Sequence, residues 1–484
     1  MTLWPACLPR PHTAACTITT LVLATLPASA QSLITEGDLA DPEGGRWGIS
    51  VMALDGTSFV DVNADARLAP ASTLKLVTTA AAFEHIGNLD AERWPKGTAL
   101  YLQQEAGAPY PSLVIQGTGD ANLSNAADCE ESCLSDLADA VVARGITDIQ
   151  NIDVDDSLFQ RPHWPDGWPH DDLRFAYGTS ISALSVNDAV AKAEVRPGSS
   201  LGTPPQLSWR DAQAFNVDTS NATTTQYGFD LEFFMQPGSN WGELTGTIGL
   251  STGPVQLSFG LSDPSLHTGR LLHDQLTRKG VTLHGLVRRQ DEVTPVAAPP
   301  EAPELLFQQD RPDPRTTLTE ILHESNNFHA EVLLHHLSMT RDDQTTEAGI
   351  ELMEDILTEA GADRRDFDIS DASGLSVYNR VTPDTMTGLL VWAAGQDWYE
   401  AWSGLLAGNG QDGTLEYRLT RGVQSGVVRA KSGTLFGADG LAGYFTARSG
   451  RQYAFAIYLS NSALSHGVAR RRIDEVLEEM INTF

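Results

Sequence analysis

Alternating apolar and polar positions in RWGISVMALDGTSFVDVN, interrupted at Asp55-Gly56, predict two strands joined by a tight hairpin turn, a place where positive φ angles are needed. Next, RLAPASTLKLVTTAAAFEHIG sets Pro70 ahead of a long Ala/Leu/Val-rich run, which predicts a helix starting near Ser72. From about 96 to 300 the texture changes to short β-like runs (SLVIQGTG, NIDVDDSLF, VQLSFGL, VTLHGLV), with one helical piece, CLSDLADAVVARG. These runs end in the Pro/Ala-rich VTPVAAPPEAPE (293–304), which has little capacity for helix or strand. Helical spacing returns in TTLTEILHESNNFHAEVLLHHLSMT and AGIELMEDILTEAG. VVRAKSGTL and LAGYFTARSGRQYAFAIYLSN then predict three strands. The closing RRRIDEVLEEMINTF predicts an amphipathic helix with Ile473, Val476, Leu477, Met480 and Ile481 on one face. Strands at both ends that enclose helices predict one mixed α/β domain made from residues 31–95 and 301–484. The mostly-β region 96–300, read as two subdomains, is its insert.

Residues 1–30 read as a cleaved leader. Arg10 is their only charged group, an apolar stretch covers 18–27, and Ala28-Ser29-Ala30 precedes Gln31. That predicts export to the periplasm. Without the leader, Cys129 and Cys133 are the cysteines that remain, and CEESC in an exported chain reads as a local disulfide or as two free thiols.

The length of 484 residues argues for two or three domains, and 32 basic against 63 acidic residues give a net charge of −31. Such a surface repels phosphate backbones, which argues against a nucleic-acid partner. The acids of the last helix, Asp474, Glu475, Glu478 and Glu479, oppose anionic lipid and leave at most peripheral membrane contact. The cations are more informative, because only Lys75, Lys96, Lys192, Lys279 and Lys431 are lysines. Where Lys survives in an Arg-rich chain, an amine that can give up its proton is worth seeking.

Ser72-Thr-Leu-Lys75 sets a hydroxyl and an amine one helical turn apart, within reach for proton transfer. Lys431-Ser432-Gly433-Thr434, on a strand, reads either as a small-residue turn or as an edge that presents backbone, amine and hydroxyl groups to a peptide. Ser325-Asn326-Asn327 reads either as a helix cap or as a third polar group. No HExxH occurs, so no metal or other cofactor is expected, and His335-His336 reads as one exposed and one packed residue.

Taken together, Ser-x-x-Lys, Ser-x-Asn and Lys-Ser/Thr-Gly are the signature of penicillin-binding proteins and active-site serine β-lactamases. PASTLKLVTTAAAF, FAYGTSISALSVND, ESNNFHAEVLL, DASGLSVYNRVTP, GQDGTLEYRL and VRAKSGTLFGADGLAGYF resemble the D-Ala-D-Ala carboxypeptidase/endopeptidase family of the penicillin-binding protein 4 type. The resemblance implies an α/β penicillin-binding domain carrying a large insert. It also implies hydrolysis of D-Ala-D-Ala ends and D-Ala-diaminopimelate cross-links of peptidoglycan stem peptides, with β-lactams as inhibitors. Ser72 would be the nucleophile and Lys75 its base, its amine made less basic by desolvation and by Lys431. Ser325 would relay a proton, and Asn327 would hold Lys75 or the substrate amide. Lys431, Ser432, Gly433 and Thr434 would bind the substrate's carboxylate end, and Asp155 of the insert would face diaminopimelate. Val377 and Phe436 stand where relatives can carry polar substrate contacts. A β-lactamase-like hydrolase and a non-catalytic envelope scaffold are the competing readings, and a homodimer is compatible with the sequence.

Overall fold

The computed structural model describes residues 39 and 44–484, apart from 88, 90, 160–162, 237, 291–301 and 343. The leader 1–30 and most of the Pro/Ala-rich connection therefore lie outside the described residues.

The central sheet has six strands in the order Ala407–Gly408, Val428–Leu435, Ala438–Thr446, Gln452–Ser460, Arg46–Ala53 and Ser58–Val62, with every neighbour antiparallel. The first predicted hairpin is present, turning at Gly56 with φ +84°. Side chains alternate across the pleat, and both faces are covered. On one face Ala442, Tyr444, Ala454, Ala456 and Tyr458 pack on the helical layer that includes Lys75–His85 and Thr346–Glu359. On the other, Leu441, Phe445, Phe455, Ile457 and Leu459 meet the terminal helix His466–Thr483 through Ile473, Val476, Leu477, Met480 and Ile481, the face read from the sequence. Two helices are buried nearly all round: Lys75–His85 and Asn327–Ser338. The first has small residues in its middle, Thr78 to Ala82, that let neighbours close in.

Strands predominate in the inserted region, which forms two bodies. The first is a five-stranded sheet in the order Val287–Arg289, Ile152–Asp155, Ser112–Gln116, Ala99–Gln103 and Glu304–Gln308. Its last strand lies past residue 300. Helices Leu134–Ala143 and Pro264–Arg278 share its apolar core. The second helix escaped the sequence reading. The second body, within Val190–Gly260, consists of two small sheets around Val195, Leu244, Ile248, Phe215 and Phe259.

Between the two bodies, the segment around 163–189 returns to the main domain. Trp168 Nε1 donates to Asp371 Oδ2 at 2.9 Å, Ser376 Oγ to Asp166 O at 2.7 Å, and Val377 N to Gly167 O at 2.9 Å. The insert thus becomes one wall of the cleft described next.

Candidate active site

Ser72 sits in the 3-10 turn Ala71–Leu74 that runs directly into helix Lys75–His85. The residue before it, Ala71, has φ +46°, an uncommon conformation for a residue with a Cβ. Packing and hydrogen bonds hold this turn: Thr73 Oγ1 donates to Pro70 O at 2.7 Å and lies 3.0 Å from Tyr458 Oη. Gly433 and Gly374 let two other segments approach it. A Cβ on Gly433 would be 2.7 Å from Pro70 O and 3.0 Å from Ser72 N; one on Gly374 would be 1.9 Å from Ala71 O.

Lys75 is wholly buried, and its amine has three neighbours: Ser72 Oγ at 3.1 Å, Asn327 Oδ1 at 2.7 Å and Ser373 O at 2.6 Å. Burial pushes this amine down to about 7, while Asp371 and Glu331 pull it back up. Neutral and charged forms are then both populated near pH 7, as a general base requires. Lys431 lies in the same site, and the two amines repel one another when both are charged. Asn327 contacts Lys75, and its Nδ2 donates to Tyr177 O at 2.9 Å, which joins the helix to the insert.

Lys431 Nζ donates to Ser325 Oγ at 2.8 Å and to Ser432 O at 3.0 Å. Burial, and then the charges of Lys75 and Arg418, hold it well below the usual lysine range. Ser325 itself lies at φ +64°. On its outer side the strand Val428–Leu435 pairs with Ala407–Gly408 at Ala430 and Arg429, and Asn409 N donates to Val428 O at 3.1 Å; among the described residues no strand pairs with the edge from Lys431 onward. Ser72, Lys75, Ser325, Asn327 and Lys431 thus come together, with Ser432, Gly433 and Thr434 beside them.

Two buried carboxylates underlie this group, and the sequence reading missed both. Glu331 accepts from Ser373 N at 2.8 Å and Ala372 N at 3.1 Å; burial pushes it up to about 8, with Asp371 adding to the rise. Asp371 accepts from Trp168 Nε1, Ser373 Oγ, Gly374 N, Ser376 N and Asn379 Nδ2, all within 3.0 Å. Together they shape the loop whose Ser373 carbonyl meets Lys75. Spacing gave a signal for Glu331, which stands one helical turn after Asn327 on the same face.

The cleft above Ser72 measures about 1000 Å³. Ser72, Ser325, Asn327, Ser432 and Thr434 line it, together with Asp171, Asp172, Tyr177, Val377, Arg380, Phe436, His466 and Arg470. Asp155 is not among its lining residues. It ends a strand of the five-stranded sheet, where its carboxylate accepts from Gln116 Nε2 at 3.2 Å and Ser157 N at 3.0 Å. The inserted region lines the cleft further along, between Pro169 and Tyr177, where Asp171 and Asp172 are its acids. The histidine pair also differs from expectation, since both residues are buried. The insert covers their helix: His335 stacks on Phe159 with ring centres 4.0 Å apart, and a Cβ on Gly119 would touch His336 Nε2. Cys129 and Cys133 form a disulfide.

A family model described as D-Ala-D-Ala carboxypeptidase 3 (S13) matches residues 30–480. The chain belongs to this family. Among its relatives, the D-alanyl-D-alanine carboxypeptidase of Actinomadura sp. (strain R39) is 30% identical over 439 residues, covering 87% of this chain and 79% of the relative. The DacB carboxypeptidase of Haemophilus influenzae is 23% identical over 452 residues, covering 90% and 89%. The fold matches the crystal structure of penicillin binding protein 4 from Haemophilus influenzae with a TM-score of 0.77 at 22% identity, over 91% of this chain and 97% of the other. The same protein complexed with a β-lactam matches at 0.72 and 20% identity.

Proposed function

We propose that this S13 chain is an exported serine DD-peptidase that cuts D-Ala-D-Ala ends and D-Ala-diaminopimelate cross-links of peptidoglycan through a Ser72 acyl-enzyme. The observation that carries the reading is Lys75: a buried amine pushed to about 7, 3.1 Å from the Ser72 hydroxyl, which lines the cleft just after the strained Ala71. Ser72 Oγ attacks the carbonyl carbon of the D-Ala residue while its proton passes to Lys75 Nζ. The carbonyl oxygen, now negative, is held by backbone N–H groups of Ser72 and Thr434. The C–N bond breaks as the leaving amine takes a proton through Ser325, which Lys431 touches. Water then cleaves the ester and returns Ser72. The backbone of the substrate adds to the open edge of Val428–Leu435.

In this reading the far end of the cleft takes the rest of the stem peptide. Asp172, whose carboxylate accepts from Tyr177 Oη at 2.7 Å, replaces Asp155 as the acid that meets an amino group there. Export is supported by the leader, by a family match that starts at residue 30, and by the Cys129–Cys133 disulfide. Among the described residues, no helix is long and apolar enough to cross a membrane.

The test is incubation with a fluorescent penicillin, wild type beside Ser72→Ala, read by gel and intact mass over time. A lasting adduct on wild type and none on the variant is expected. No adduct on either sinks the mechanism, and an adduct lost within seconds favours a β-lactamase.

A further inference from the structure

A D-Ala-D-Ala end and a penicillin both carry a carboxylate next to the bond that is cut, and the KSGT strand is poorly equipped to neutralise it. Lys431 is fully buried and already occupied by Ser325 and Ser432 O. The Ser432 hydroxyl donates to Thr414 Oγ1 at 2.9 Å, and the Thr434 hydroxyl donates to Asp439 Oδ1 at 3.0 Å, so both protons are already engaged with protein partners. Asp171 and Asp172, which also line the cleft, add repulsion, as does the net charge of −31.

One cation is built into the cleft where the carboxylate would arrive. Arg470, on the terminal helix, donates from Nη2 to Thr434 Oγ1 at 3.0 Å. Its Nε lies 3.7 Å from Asp439 Oδ1, a carboxylate that is 4% exposed and also has His466 Nδ1 2.9 Å from its other oxygen. Asp439 therefore anchors the guanidinium from behind, while the Arg470 side chain remains 48% exposed at the cleft wall. A guanidinium offers five donors in a rigid fork and keeps its charge at every working pH, which suits a carboxylate. Of the other two arginines in the cleft, Arg67 pairs with Asp368, and Arg380 donates to Val377 O and Asn379 O.

We infer that Arg470 is a specificity-determining residue: held by Thr434 and Asp439, its guanidinium receives the carboxylate next to the scissile bond and makes the enzyme select a free acid over its neutral analogue. This rests on the Ser72 acyl-enzyme reading. Thr434 then acts as a holder of the guanidinium, with its hydroxyl proton engaged by Asp439.

The experiment measures the second-order rate of Ser72 acylation by benzylpenicillin and by its methyl ester, and kcat/KM for an acylated D-Ala-D-Ala peptide and its C-terminal amide. Wild type, Arg470→Gln and Arg470→Lys are compared. The wild type should favour each acid over its neutral partner by roughly 10- to 100-fold, the range of a charge-assisted hydrogen bond. Arg470→Gln should lose that preference by slowing on the acids alone, and Arg470→Lys should keep part of it. The neutral ligands report on folding, since a collapsed cleft slows acid and ester together. An unchanged acid-to-ester ratio in Arg470→Gln, or equal slowing on both, overturns the inference. Failure of the wild type to acylate with either penicillin instead refutes the Ser72 mechanism.

Discussion

Replacing Gly374 with Ala should disable acylation far more than it disturbs the fold. Gly374 lies at φ +84°, and a Cβ there would stand 1.9 Å from Ala71 O, where contacts under 3.0 Å essentially never occur. One side must retreat by roughly 1 Å, a misplacement that costs about 100-fold in rate when it reaches reacting groups. The loop is the stiffer side, because Asp371 ties it at five points. The displacement therefore falls on Ala71, the residue before the nucleophile. Left-handed backbone with a Cβ adds about 1–2 kcal/mol of destabilisation. Gly56→Ala is the control: it has the same φ of +84° but nothing within 4 Å. It should lose the same 1–2 kcal/mol or so through backbone strain alone and acylate normally. The assay pairs the acylation rate with a fluorescent penicillin and thermal unfolding of the same samples. Normal acylation by Gly374→Ala, or equal slowing of both variants, would refute the reasoning.

Four further outcomes are expected. Acylation should rise with pH through about 7, because the base needs the neutral Lys75 amine that burial favours, and a flat profile from pH 5 to 9 would count against it. Lys75→Arg, which cannot deprotonate, should lose about 10²- to 10⁴-fold at every pH. Glu331 is pushed up to about 8 and so carries little charge at pH 7; Glu331→Gln should therefore shift the acylation limb only slightly, toward lower pH, and a limb that moves to higher pH or by more than a full pH unit rejects this reading. Reducing the Cys129–Cys133 bond, which spans a sequence separation of 4, should cost about 2 kcal/mol in denaturant unfolding and leave acylation unchanged.

Much of this was legible in the chain. Strands at both ends, the hairpin at Gly56 and the apolar face of the last helix follow from periods of 2 and 3.6, which depend on burial alone. The three signature segments were legible too, since each is a contiguous run. What stayed hidden depends on path. Helix Pro264–Arg278 was passed over although Asp263 caps it and Pro264 opens it, because its polar face dilutes the apolar positions Leu271, Leu272 and Leu276. Asp155 and Asp172 look equally suited to an amino group in sequence, and only the course of residues 163–189 brings the second to the cleft. His335 and His336 are both buried because the insert covers a helix that would otherwise show one side to water. Asp371 hides within DASGLSVYN, where its work is to order backbone amides.

The central sheet has a consequence for how the molecule is made. Arg46–Ala53 is hydrogen-bonded to Gln452–Ser460, with Arg46 opposite Ser460, so one of the first strands to emerge has to wait for the last. Lys75 likewise meets Ser373 across a sequence separation of 298. Pairings this remote close late and slowly. During that wait the early strand is an unpaired apolar edge, exposed to wrong partners. The delay also works as a timer, since Ser72 and its base are assembled only after nearly the whole polypeptide has been delivered to the place where it folds.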